Sequence, residues 1–127
     1  MRHVWMSWFV AGALICLGCT DTRPGVSKRA KVEGTVELDG KPMPDGEIRF
    51  SIPAEPPASL EIKDGAYSGE VPEGKNKVEI YRFKEDKTMT PPPKVNILPR
   101  TWNAESKLTV DITASSKQVP AFTVTSK

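Results

Sequence analysis

Side chains able to carry catalysis are scarce in this chain. His3 is the only histidine, and Cys16 and Cys19 are the only cysteines, among 127 residues. From Thr20 onward there is neither, so no Ser-His-Asp or Cys-His pair can be assembled there. Zinc loses its usual nitrogen and sulfur ligands for the same reason. Carboxylates remain, and Asp39, Asp45, Glu47 and Asp64 all lie near turn sequences. A pair of carboxylates is the least that acid–base chemistry needs. Asp before Gly has a plainer use, because it stabilises a turn by bonding its own backbone. No loop has the ligand spacing of a calcium site. The expectation is therefore no catalytic residue, no metal and no cofactor. Binding is the chemistry left, and Trp102, Tyr81 and Arg82 are the candidates for it. An aromatic on a long loop can stack on a sugar, a peptide or a partner protein. The competing use of Trp102 is to fold back beside Ile97, Leu98 and Pro99 and plug one end of the fold.

The elements that would position these residues are read from period-two alternation. In Val32 to Phe50, VEGTVELDGKPMPDGEIRF, apolar Val32, Val36, Leu38, Ile48 and Phe50 alternate with polar neighbours. Asp39 to Gly46 between them holds two Asp-Gly pairs and two prolines, and reads as turn throughout. Pro53 to Pro57 interrupts the pattern. It resumes at Leu60 and Ile62, turns at Asp64-Gly65, and continues through Tyr67 and Val71. Lys75 to Lys84 follows, with Val78 and Ile80 on one face. Tyr81 and Phe83 take the other face, or follow a bulge that swaps faces. Glu85 to Ser106 reads as a long irregular stretch, with Pro91-Pro92-Pro93 as a stiff spacer or a polyproline ligand. Leu108 to Ile112 and Val119 to Thr125 close the series.

These seven short strands, with turns every 8–12 residues and no helix-period segment, predict an all-β, seven-stranded Greek-key β-sandwich. A helical body or a crossover of parallel strands would contradict it. The net charge of +2 and the alternating signs argue against a nucleic-acid partner. The chain is long enough for one domain, not two.

The N-terminal segment reads as an address. Arg2 and His3 precede fourteen uncharged residues, Val4 to Leu17, fewer than the ~20 that span a bilayer. Gly18 precedes Cys19, and the layout resembles bacterial lipoprotein signals, which are cleaved just before a lipid-carrying cysteine. Cys16 and Leu17 depart from the usual residues before that cysteine. A Cys-x-x-Cys pair, an uncleaved anchor and ordinary signal cleavage are the competing readings. The resemblance implies a thioether-linked diacylglycerol on Cys19 and, with a further acyl chain, stable anchoring. Thr20 to Arg29 reads as a tether reaching at most about 35 Å. Its basic residues Arg23, Lys28 and Arg29, with Lys31, are candidates for contact with anionic head groups.

Beyond the tether, the run Val32 to Gly46 resembles the carboxypeptidase regulatory-like, or transthyretin-like, domain. So do Asp64-Gly-Ala-Tyr67, Val71-Pro-Glu-Gly-Lys75 and Val78-Glu-Ile80. Leu98-Pro-Arg-Thr-Trp-Asn103 and Ser106-Lys-Leu-Thr-Val110 resemble the late segment of a subgroup found in short bacterial lipoproteins. The resemblance spans Lys31 to Val124 and implies a transthyretin-like, Ig-like sandwich in a mostly non-catalytic family. Hydrolases of that group depend on histidines absent here. The organisation expected is a signal peptide over residues 1–18, a lipidated cysteine and tether over 19–30, and the sandwich over 31–127. The function expected is that of a non-catalytic envelope lipoprotein. It sits on the periplasmic side, with a lean to the outer membrane, because Thr20 replaces the Asp that retains some lipoproteins at the inner one. Its partner is an envelope protein or a glycan. The alternative is a carbohydrate- or peptide-binding module that uses the 85–106 stretch.

Overall fold

The structure, a computed structural model, describes residues 27–53 and 55–127. The signal segment and Cys19 lie outside the described residues. Among the described residues ten strands form: β1 (Arg29–Leu38), β2 (Lys41–Pro42), β3 (Asp45–Ser51), β4 (Ala58–Lys63), β5 (Ala66–Pro72), β6 (Gly74–Tyr81), β7 (Phe83–Glu85), β8 (Lys94–Asn96), β9 (Thr109–Ile112) and β10 (Phe122–Val124). Arg100–Trp102 is a single 3-10 turn. Seven strands run in the order β10-β1-β5-β4-β3-β6-β9, with β2 attached to β1, and β7-β8 make a second small sheet. Those seven match the seven alternating segments of the sequence. The three extra strands are two or three residues long, too short for alternation to reveal.

Alternation works as expected. In β1, Ala30, Val32 and Val36 are buried, while Lys31, Glu33 and Glu37 are exposed. In β6, Asn76, Val78 and Ile80 are buried. The hairpins follow from two Asp-Gly pairs. Asp39 and Gly40 have φ of 52° and 81°, and Asp64 and Gly65 have 50° and 79°. Positive φ at both central residues is the two-residue turn whose twist suits paired strands. Leu38 then pairs with Lys41, and Lys63 with Ala66. Asp45-Gly46 behaves differently. Both residues belong to β3, so the predicted turn over Asp39 to Gly46 stops at Pro44.

β4 and β5 share only the Lys63–Ala66 pair, then diverge. The result is a curled sheet which, with the small second sheet, fits a β-sandwich. One cluster fills the interior, with Val36, Met43, Ile48, Phe50, Val78, Ile80 and Val124 all fully covered. The Phe50 and Tyr67 rings meet at 5.9 Å across it. Pairing is antiparallel except at one edge, where β10 runs parallel to β1. The sequence reading did not anticipate this. β9 runs antiparallel to β6, and the tail after Ile112 returns beside β1, with Glu33 donating to the Lys117 carbonyl at 2.9 Å and accepting from Val119 at 2.9 Å. The last strand thus arrives in the direction of the first.

Tyr67 faces Gly34 across the β1–β5 pair, and a Cβ at position 34 would collide with its hydroxyl. That hydroxyl is buried without a hydrogen-bond partner, and burial raises its pKa. An unsatisfied buried hydroxyl costs ~1–3 kcal/mol. Tyr67→Phe keeps the ring and removes the orphan, so it should stabilise the domain by about 1 kcal/mol, a rise of ~4–8 °C in Tm by calorimetry. Phe50→Ala, in contrast, should cost ~3–5 kcal/mol.

Candidate interaction surface

The stretch expected to be irregular, Glu85 to Ser106, is mostly turn and loop, but Glu85 and β8 within it belong to one long hairpin. β6 and β7 run outward, broken only at Arg82, and β8 and β9 return beside them. The Arg82 carbonyl accepts from Ile97 at 2.8 Å, which carries the ladder across the break. Asn96 Oδ1 accepts from the N–H groups of Arg82 and Leu98, each at 3.2 Å. Pro91-Pro92-Pro93 lies near the tip, where a carbonyl and not an N–H is needed, and Asp86 donates to the Pro93 carbonyl at 2.8 Å.

Between β8 and β9 the chain makes an inward excursion. Leu98, Asn103 and Ser106 are buried there. Asn103 Nδ2 donates to the Pro99 carbonyl at 3.0 Å, and Ser106 Oγ donates to the Val78 carbonyl at 2.5 Å. Trp102 sits on this excursion, half-buried against the core, and its indole N–H donates to the Thr125 carbonyl at 3.1 Å. Its one donor is therefore used inside the molecule, where it holds the tail.

Tyr81 and Arg82 have other neighbours. The Tyr81 ring lies parallel to that of Phe83 at 5.7 Å, within 5°. Tyr81 and Phe83 thus share the outer face, without a face-swapping bulge. The Arg49 guanidinium covers the Tyr81 ring at 4.5 Å from its centre, a contact worth ~0.5–1 kcal/mol at an exposed site. Arg49 also bonds Glu47, which raises its pKa. The Tyr81 hydroxyl donates to Glu79 at 3.0 Å. Partial burial, then this carboxylate, raises its pKa. Arg82 Nε donates to Asp45 at 2.9 Å. The structure thus brings Tyr81 and Arg82 to the root of the β7–β8 arm and engages Trp102 elsewhere.

Sequence reasoning missed the arm itself. The large hydrophobic side chains most exposed among the described residues are Phe83, Met89, Val95 and Ile97, all on this one hairpin. Their concentration on one arm, not their exposure singly, is what marks a surface for contact. The strand registers also place the arm. Arg29 pairs with Pro72 and Gly74 with Ile112, whereas Glu47 pairs with Tyr81 and Lys63 with Ala66. The chain thus enters at one end of the sandwich, and the arm continues β6 out of the other.

The carboxylates considered for chemistry serve structure. Asp39 accepts from the Ser126 hydroxyl at 2.7 Å and its N–H at 3.0 Å, Asp45 holds Arg82, and Glu47 holds Arg49. Asp64 occupies the hairpin turn. Among the described residues no three of His, Cys, Asp or Glu gather as a metal site would need. An open groove of about 940 Å³ is lined by Glu33 and Thr35 of β1, Ser68 of β5, Glu61 and Lys63 of β4, and the tail from Gln118 to Ala121.

No family model matches the chain, and no curated protein does. Among solved structures it is similar to a DUF3823 family protein from Parabacteroides merdae ATCC 43184. The two share 14% identity and a TM-score of 0.45 over 78% of this chain. The match spans 46% of that chain, so this protein corresponds to about half of its neighbour's length.

Trp102→Ala should destabilise the domain by about 2 kcal/mol in denaturant unfolding, less than the ~3–5 kcal/mol of a fully buried Trp because the ring is half exposed. The Ser126 hydroxyl, then its N–H, lowers the Asp39 pKa below its ordinary 3.8. A depressed carboxylate pKa stabilises above the ordinary value and is lost as pH falls through the lowered one. Amide exchange at Ser126 should therefore speed up in acid below pH 3.8, beyond its intrinsic pH dependence. Asp39→Asn should remove that extra step.

Proposed function

We propose that this protein is a non-catalytic lipoprotein of the bacterial cell envelope whose β-sandwich, of carboxypeptidase regulatory-like type, is a protein-interaction module. The observation that carries the reading is the concentration of exposed Phe83, Met89, Val95 and Ile97 on one arm. Tyr81, Phe83 and Arg82 at its root are residue types enriched at interfaces. Cys19 is the lipidation site and the tether follows it, which puts the sandwich on the periplasmic side, at the outer membrane by preference. The arm leaves the sandwich at the end opposite Ser27, where the described chain begins, so it extends away from the anchored end. Among the described residues no helix is long and apolar enough to cross a membrane. The attachment we propose is the lipid.

The glycan- or peptide-binding alternative assigned recognition to Trp102. The bond from its indole to Thr125 supports an anchoring role for that residue instead. Recognition then rests on Tyr81, Arg82 and the arm.

Mass spectrometry of the protein from membranes tests the address, with a diacylglyceryl thioether on Cys19 and residues 1–18 removed as the expected result. An unmodified Cys19 in a secreted form would refute the anchor. Pull-down from detergent-solubilised envelopes tests the contact. A partner that returns with the wild type should be lost with the double variant Phe83→Ser, Val95→Ser. The Tm of that variant should stay within about 2 °C, because both side chains are exposed. Retention of the partner by the double variant would remove the arm from the interface.

A further inference from the structure

The arm carries main-chain groups as well as apolar side chains, and their parity can be read from its hydrogen bonds. The Arg82 carbonyl accepts from Ile97, and Asp86 donates to the Pro93 carbonyl. Even-numbered positions of the outgoing strand therefore point at β8. Phe83 and Glu85 turn their N–H and C=O groups the opposite way, into the lane that β3 occupies further down the sheet. β3 starts only at Asp45, after Pro44, and its pairing with the outgoing strand ends at Glu47–Tyr81. β7 itself pairs with β8 alone, in a two-stranded sheet. Among the described residues no backbone bond from a turn or loop reaches the N–H or C=O of Phe83 or Glu85. Two donors and two acceptors thus stand in line at the spacing that an added strand requires.

We infer that the edge of β7 turned away from β8 accepts an extended strand from a partner protein, running antiparallel to β7. This rests on the interaction reading above and names the kind of partner. The side-chain positions of β7 fix the chemistry of the incoming strand. The residue opposite Phe83 lies on the face of the Tyr81–Phe83 stack and is apolar. The residue opposite Lys84 lies on the face of Val95 and is acidic, since opposite charges across a strand pair attract and like charges repel. The residue opposite Glu85 is basic. Read along the incoming strand, the pattern is basic, acidic, apolar. A second copy of this chain fits the lane poorly. Self-pairing centred on the edge would set two Lys84 side chains face to face, an arrangement that destabilises a pair.

The test uses the full chain in detergent micelles with a blocked hexapeptide, Thr-Val-Lys-Glu-Val-Thr, as the probe. Backbone amide exchange is followed by nuclear magnetic resonance. Strand addition predicts that the amides of Phe83 and Glu85 slow by about tenfold at saturation, while that of Lys84, already directed at β8, hardly changes. Glu85→Pro removes a donor from the open edge without touching the ladder to β8, and should abolish the effect. A peptide with the Lys and Glu exchanged should bind at least about tenfold more weakly. Unchanged Phe83 and Glu85 amides at millimolar peptide would overturn the inference, as would protection appearing at the β9 edge instead. The inference also fails, while the interaction reading stands, if the envelope partner is lost with Phe83→Ser but retained with Glu85→Pro. Loss with neither variant refutes both. A chain that dimerises through β7 without peptide would replace the foreign strand with a second copy and overturn the choice made here.

Discussion

The fold depends on the Tyr67 ring lying across Gly34 and meeting Phe50. β4 and β5 are joined by a tight turn and a single register pair, so main-chain hydrogen bonds hold the curl at only one point. What keeps the two sides of the sheet together is apolar burial between them. Gly34 makes this possible, because any side chain there would displace the ring. The cost is visible in the same residue. The Tyr67 hydroxyl ends in the interior with no partner, a local defect tolerated for the area that the ring covers. Phe would fill the space without that penalty, and nothing else in the structure explains why Tyr stands there.

A second constraint fixes the arm. The hairpin from Gly74 to Ile112 is too long for the sandwich, so its outer half has no sheet on either side. An isolated two-stranded ribbon is marginally stable in water. This one is held at its root by the Arg82–Asp45 ion pair, by Asn96 bonding two backbone amides, and by the Tyr81–Phe83 stack under Arg49. Each of these sits where the strand leaves the sheet. The excursion over Leu98 to Ser106 then plugs the end of the core from which the arm departs. Trp102, the side chain that looks most suited to stacking on a ligand, is thus committed to the tail, while Arg82 gives its Nε to Asp45 at the root of the arm. The exposed groups are the apolar tips and the charged residues between them, Lys84 and Glu85 among these.

Much of this was legible in the sequence, for identifiable reasons. Seven segments with one wet and one dry face alternate strictly, and the structure contains all seven as strands. The Asp39-Gly40 and Asp64-Gly65 turns were legible because only a few residue types accept positive φ twice in succession. Asp45-Gly46 misled for the same reason. It has turn composition, but Gly46, at φ 146°, serves a strand whose backbone passes close to the Tyr81 carbonyl. β7 and β8 were hidden because three residues cannot display a period, and the prolines between them suggested a spacer. The parallel β10 and the Trp102–Thr125 bond were hidden because both join the tail to distant segments, and alternation records a face but not a neighbour. Cys19 and the signal segment rest on sequence alone.

The two ends of the sandwich differ in kind, and the difference bears on how such a module works. At the end where β1 begins, Ser27 bonds Glu55 and the Lys28 carbonyl accepts from Glu73, so the chain is fastened as soon as it enters the fold. A flexible link placed upstream of that point moves the domain as a body and leaves its interior unchanged. At the opposite end the C-terminal tail is fastened too, by Asp39 and Trp102, leaving the β7–β8 ribbon as the apolar projection there. In the proposed role, a rigid body held at one end and presenting a ribbon at the other would lose little conformational entropy on binding, since the ribbon's root is already fixed. The cost of association then falls mainly on the incoming segment, which suits an extended stretch of a partner better than a second folded surface.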